Sequence, residues 1–218
     1  MNADALPPAA DAPTGPDRLR LFIAIELPGA IREQVAGLAE NLRKGIAFTG
    51  ARPTWLKPEA MHLTLVFLGS QPAGAVAPVA AALERLGQMY APLRIELKRL
   101  GGFPHWRGPR VLWVGVRDRT HQFEGLRREL ELSLAPVGYE PDGRPFRPHL
   151  TLARFKSPKG SPAVKKVVET HQEFLFGPFV AGELVLFQSE LKPEGAVHTA
   201  LHRTALVAPA PNRNEVEP

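Results

Sequence analysis

The chain has 218 residues, 44% of them hydrophobic and 22% charged, which suits a globular protein with one large domain or two small lobes around a shared core. The absence of cysteine excludes disulfides, Cys-ligated zinc, Fe–S clusters and thiol nucleophiles. The net charge of +5 fits an anionic ligand, with a solvated basic surface as the plainer alternative.

The first residues, Met1 to Pro8, carry acid and proline where a signal peptide needs a basic start and an apolar run. No apolar stretch reaches the ~18 residues of a membrane span, so a cytoplasmic, monomeric protein is expected. Residues 1–17 and 208–218 are rich in Pro and Ala without periodicity and read as disordered tails. Between them, Arg20–Glu26 is an apolar β-run. Pro28 suits a helix start, and Ile31, Val35, Leu38 and Leu42 predict a helix over 29–43. A strand over about 61–68 stops at Gly69. Val76, Val79, Ala80, Leu83 and Leu86 mark a helix within Pro72–Tyr90, and Leu93–Leu97 alternates as a strand.

Residues 101–109, with Gly101, Gly102 and Pro104, read as a loop at the midpoint of the chain. A second cycle follows it: strand 111–116, helix 120–134 on Phe123, Leu126, Leu130 and Leu134, loop 136–148, strand 149–155, helix 161–171, and strands near 179–189 and 197–206. The repeated order implies an internal duplication within one domain, 18–207. The expected fold class is α+β: two pseudo-symmetric lobes, each a mostly antiparallel sheet with helices on its outer face, and a cleft between them.

The corresponding strands of the two cycles carry the same tetrapeptide, His62-Leu63-Thr64-Leu65 and His149-Leu150-Thr151-Leu152. With a side-chain period of two, His and Thr share one face and the leucines the other. An imidazole titrates near neutrality, so one copy can serve as general base and the other as general acid. The hydroxyls can donate to oxygens that gain charge. Two such pairs suit in-line displacement at phosphorus, as in a 2′,3′-cyclic phosphodiester, and the scheme demands no metal and no cofactor. Which histidine is acid and which is base is left open by two identical motifs.

These residues resemble the 2H phosphoesterases, and within them the RNA 2′,3′-cyclic phosphodiesterase branch, historically the 2′-5′ RNA ligases. The likeness rests on Arg20–Ile25, on Trp55–Gly69 and on Phe146–Arg154. It implies metal-independent hydrolysis of RNA 2′,3′-cyclic ends to 2′-phosphates, with a weak, reversible 2′-5′ RNA ligase activity. It also implies His62 as the proton donor, His149 as the base, and Thr64 and Thr151 as phosphate ligands.

Further substrate-binding candidates are Phe22, which can stack on a base or pack in the core, and its repeat counterpart Trp113. Arg154 matches a family arginine, although strict alternation turns it away from His149 unless the strand bulges. Arg147 has the right parity but lies before Pro148. Trp55 reads as packing, and His105, Trp106, His121, His171, His198 and His202 show no partner pattern. The alternatives to an RNA-end hydrolase are a non-catalytic RNA or nucleotide binder and an esterase for a small cyclic nucleotide.

Overall fold

The computed structural model describes residues 17–46, 53–104, 109–118, 121–141, 143, 145–156, 164, 166, 169–170, 174–192 and 195–208. The tails apart from Asp17 and Ala208, His105, Trp106 and His171 lie outside them, as does most of the expected helix 161–171. The described residues form nine strands: β1 (Arg18–Glu26), β2 (Thr54–Trp55), β3 (His62–Pro72), β4 (Leu93–Phe103), β5 (Val111–Arg117), β6 (His149–Arg154), β7 (Leu175–Ala181), β8 (Glu183–Lys192) and β9 (Gly195–Ala205). Three α-helices accompany them: α1 (Gly29–Gly45), α2 (Val76–Gly87) and α3 (Gln122–Leu134). No helix among the described residues is long and apolar enough to cross a membrane.

Each helix follows its apolar spacing. Ile31, Val35, Ala39 and Leu42 are buried on α1, and Arg43 and Lys44 meet the negative end of its dipole. On α3 the buried residues are Phe123, Leu126, Leu130 and Leu134. The Asp118 carboxylate accepts from the backbone N–H groups of Gln122 and Phe123 at 3.0 and 2.8 Å, satisfying donors that the first turn leaves open. The end of α2 lies so close to β9 that a Cβ on Gly87 would stand 2.3 Å from the Ala205 carbonyl oxygen. Only a glycine permits that approach.

All nine strands belong to one sheet, ordered β7-β4-β5-β6-β3-β1-β8-β9, with β2 added beside β6. Every recorded pairing is antiparallel. The sheet divides at its centre, where β3 and β6 share the single pairing of Leu63 with Leu150. Four strands lie along the sheet path on each side of this seam. The halves of the sheet are not the halves of the chain. β4, from the first cycle, pairs with β5 and β7; β8, from the second, pairs with β1 and carries β9 on its outer edge.

Local geometry accounts for the exchange. β4 and β5 are close in sequence and form a hairpin, so Gly101–Phe103, expected as loop, continue β4 opposite Val111–Trp113. In β8, Leu184, Val185, Leu186 and Phe187 are all buried. Such a run has cover on both faces: Leu184 and Leu186 join the large core, and Val185 and Phe187 pack with Phe22 and Ala24 of β1 on the other side.

The leucines of both motifs, Leu63, Leu65, Leu150 and Leu152, join the large core with the apolar faces of the helices. His62, Thr64, His149 and Thr151 are half-buried on the opposite face of the sheet. A second, small core of Phe22, Ala24, Val185 and Phe187 lies on that opposite face beside His62.

Candidate active site

Leu63 lies opposite Leu150 at the seam, and the side-chain period of two puts His62 and Thr64 of β3 and His149 and Thr151 of β6 on the same face beside it. Neighbouring strands hold the pairs in place: Ala24 lies opposite Thr64, and Gly115 opposite His149.

Both histidines are oriented in the same way. His149 Nδ1 lies 2.7 Å from the Arg147 carbonyl oxygen, and the His62 ring hydrogen-bonds the Ala60 carbonyl. In each case the acceptor is two residues upstream. The bond fixes Nδ1–H in His149 and leaves Nε2 as a free lone pair.

The surroundings of the two rings differ. His62 packs on Phe22 at 4.7 Å between centroids, with Phe187 at 6.1 Å and His198 edge-on at 5.1 Å. His149 meets Phe103 edge-on at 4.8 Å and Trp113 at 6.2 Å. Burial, and then the proximity of His198, lowers His62 to a pKa of about 3. His149 is also lowered, by burial first, against the Arg147 hydrogen bond that raises it. Both shifts favour the neutral imidazole at pH 7. The identical motifs are thus made unequal by what packs on them.

Arg154 reaches the cleft because the strand bulges. Trp113 pairs with Thr151 and Leu112 with Ala153, so Leu152 has no partner on β5. Leu152 and Ala153 are consecutively buried, and Arg154 returns to the His149 face. Its charge bears on His62, His149 and His198, and Arg20 bears on Arg154 in turn. β3 repeats the device: Thr64 pairs with Ala24 and Val66 with Ile23, leaving Leu65 over. This turns Phe67 outward, 39% exposed and 6.1 Å from Phe22. Phe67 escaped the sequence reading because plain alternation assigns it to the core face. The repeated bulge after His-Leu-Thr-Leu is visible only in the register.

Phe22 is 2% exposed. Its faces are taken by His62 and Phe187, so the ring supports His62 and offers no open surface for a base. Trp113 is half-buried in a seat made by glycine: a Cβ on Gly101 would fall 2.2 Å from its six-membered ring, and one on Gly115 3.2 Å away. Arg147 has an exposed side chain and contributes its carbonyl to His149. Trp55 is half-buried against the core on β2, beside Ala153.

His198 is the residue sequence reasoning passed over. It comes from β9, and no spacing along the chain predicts that β9 reaches the first motif. A cavity of about 250 Å³ is bordered by His62, His198, Phe187 and Arg203, with Glu26 and Glu59 at its acidic side. His202, four residues on, instead binds Glu84 of α2 at 2.7 Å. Among the described residues no group of three or more His, Asp or Glu could hold a metal ion.

A family model described as the 2′-5′ RNA ligase superfamily matches residues 28–193. An RNA 2′,3′-cyclic phosphodiesterase of Thermus thermophilus is 37% identical over 194 residues, 86% of this chain and 90% of the relative. Another, of Aeropyrum pernix, is 35% identical over 170 residues, 77% of this chain and 94% of the relative. Among solved structures, Thermus thermophilus TT0787 superposes with a TM-score of 0.71 at 30% identity, covering 86% of this chain and 98% of that one. Escherichia coli LigT complexed with 3′-AMP gives 0.66 at 28% identity, with coverage of 87% and 99%. With its duplicated motif, its sheet and these relatives, the chain belongs to the 2′-5′ RNA ligase superfamily.

Proposed function

We propose that the protein hydrolyses the 2′,3′-cyclic phosphodiester at RNA ends to a 2′-phosphomonoester, with His149 as base and His62 as acid. The observation that carries this reading is the convergence of two imidazoles and two hydroxyls on one face of the β3–β6 seam. The names of the relatives supply the substrate class.

His149 Nε2 takes a proton from water, and the oxygen attacks phosphorus. The P–O3′ bond breaks in line, and His62 gives its proton to O3′. The product keeps the phosphate on O2′ and regains a free 3′ hydroxyl. Solvent then returns a proton to His62 and removes one from His149. Thr64 and Thr151 donate to the non-bridging oxygens, whose charge grows in the transition state. Arg154 supplies positive charge at the same face.

Burial and His198 favour neutral His62, so its acid role depends on the substrate. A phosphate anion seated beside it opposes the desolvation that lowers it and raises its pKa toward neutrality. The assignment of His62 as acid follows the family resemblance. Both histidines come from one chain, so a monomer supplies a complete site, and a cytoplasmic setting fits an RNA substrate. With a 5′ hydroxyl in place of water, the same groups would open the cyclic phosphate to a 2′-5′ linkage, O3′ leaving as before, which gives weak ligase activity.

Replacement of either catalytic histidine tests the proposal. His62→Ala and His149→Ala should each lower kcat on an oligoribonucleotide with a 2′,3′-cyclic end by about 10²- to 10⁴-fold, with an unchanged circular dichroism spectrum. EDTA should have no effect. Near-full activity in either variant would exclude twin-histidine catalysis.

A further inference from the structure

His198 stands apart from the two motifs in sequence and beside the first of them in space. Its ring meets His62 at 5.1 Å and 86°, and Phe22 at 5.0 Å and 79°. It borders the same cavity as His62. Its Nδ1 is sealed from solvent and has no hydrogen-bond partner among the described residues.

That sealed nitrogen fixes the tautomer. A buried N–H without an acceptor is rarer than an acceptor left short of donors. The proton of the neutral ring therefore belongs on Nε2, and Nδ1 carries the bare lone pair. Burial first, then the positive charges of Arg20 and Arg154, keep His198 below its ordinary pKa of 6.5, so the ring is neutral at pH 7. The half-buried ring thus brings one N–H donor and no charge to a cavity it shares with His62.

We propose that His198 is a third substrate-contacting histidine of the cleft, donating its Nε2–H to an oxygen of the phosphate ester held against His62. The proposal rests on the reading that the cleft binds a cyclic phosphate between His62 and His149. A neutral donor at this position supports charge building on the ester without competing as a base for the proton on His62. The contact arises from the crossing of the chain that brings β9 to the first half of the sheet.

Two substitutions separate a donor from a packing residue. His198→Gln keeps an N–H near the Nε2 position and loses the ring; His198→Phe keeps the edge-on ring and loses the donor. The donor role predicts that His198→Phe lowers kcat/KM on a 2′,3′-cyclic RNA end by about 10- to 100-fold, and that His198→Gln recovers most of it. The reverse order, an active Phe variant and an impaired Gln variant, would overturn the proposal.

A measurement on the wild-type protein stands if either variant fails to fold. Nitrogen-15 NMR should show His198 as the Nε2–H tautomer, with that resonance shifting on addition of inorganic phosphate. An Nδ1–H tautomer, or an Nε2–H resonance indifferent to phosphate, would overturn it. These readouts need no catalysis. Full activity in His62→Ala would instead strike the acid–base reading, while the phosphate contact of His198 is still decided by the NMR titration.

Discussion

At the scale of the residue, the two histidines are equal in sequence and unequal in place. His62 is held at a pKa of about 3 by burial and by His198. Between pH 6.5 and 3 the unfolded chain binds a proton at this histidine that the folded protein refuses. The folded state therefore loses stability as pH falls through that window. His62→Gln removes this penalty, so its acid-unfolding midpoint, followed by tryptophan fluorescence, should lie at lower pH than that of the wild type. An unchanged or higher midpoint would show that His62 titrates normally. The threonines are tested by isosteric loss of the hydroxyl: Thr64→Val and Thr151→Val should each cost about 10²-fold in kcat, with little change in melting temperature.

At the scale of the element, alternation explains much and the bulges explain the rest. The motif strands, the helical faces and the burial of Leu63, Leu65, Leu150 and Leu152 were legible because they follow periods of two and 3.6. Phe67 was not, and Arg154 was reached only through the family likeness and the condition of a bulge, because one extra residue after Thr64 and after Thr151 reverses the face. The role of Phe22 was ambiguous for a similar reason: an apolar residue beside a motif can stack on a ligand or support the catalytic ring, and only its burial decides. Gly101 looked like loop punctuation and is a strand residue that makes room for Trp113. A methyl group there collides with the indole beside His149. Gly101→Ala should destabilise the protein by about 1–3 kcal/mol and lower activity; denaturant unfolding with a parallel assay checks both. Wild-type stability in this variant would mean that Trp113 shifts without cost.

At the scale of the whole molecule, the repeat was legible and its assembly was not. The order of elements announces two cycles, and a reader of sequence assigns each cycle its own lobe. The structure joins them in one sheet, and strands cross between the halves. Hairpin closure keeps β4 with β5, and β8 packs one face into the large core and the other against Phe22 and Ala24 of β1; neither demand shows in the repeat itself. The consequence is functional, since His198 reaches His62 only on the crossing hairpin β8–β9. It is also mechanical. A fragment of residues 1–104 lacks the strands that cover β1, and one of residues 109–218 lacks the strand between β5 and β7. Expressed separately, each fragment should give the narrow amide dispersion of an unfolded chain. A folded spectrum from either alone would contradict the interlocked sheet.

The central claim is that the two His-Thr motifs on one face of the seam open a cyclic phosphate on the side of O3′. It is tested most directly by incubating the protein with an oligoribonucleotide bearing a 2′,3′-cyclic phosphate and identifying the product by phosphorus NMR. The account predicts a 2′-phosphomonoester, formed in the presence of EDTA and lost in His62→Ala and His149→Ala. A 3′-phosphate product, or an unreacted cyclic end under conditions in which the RNA is bound, would contradict it.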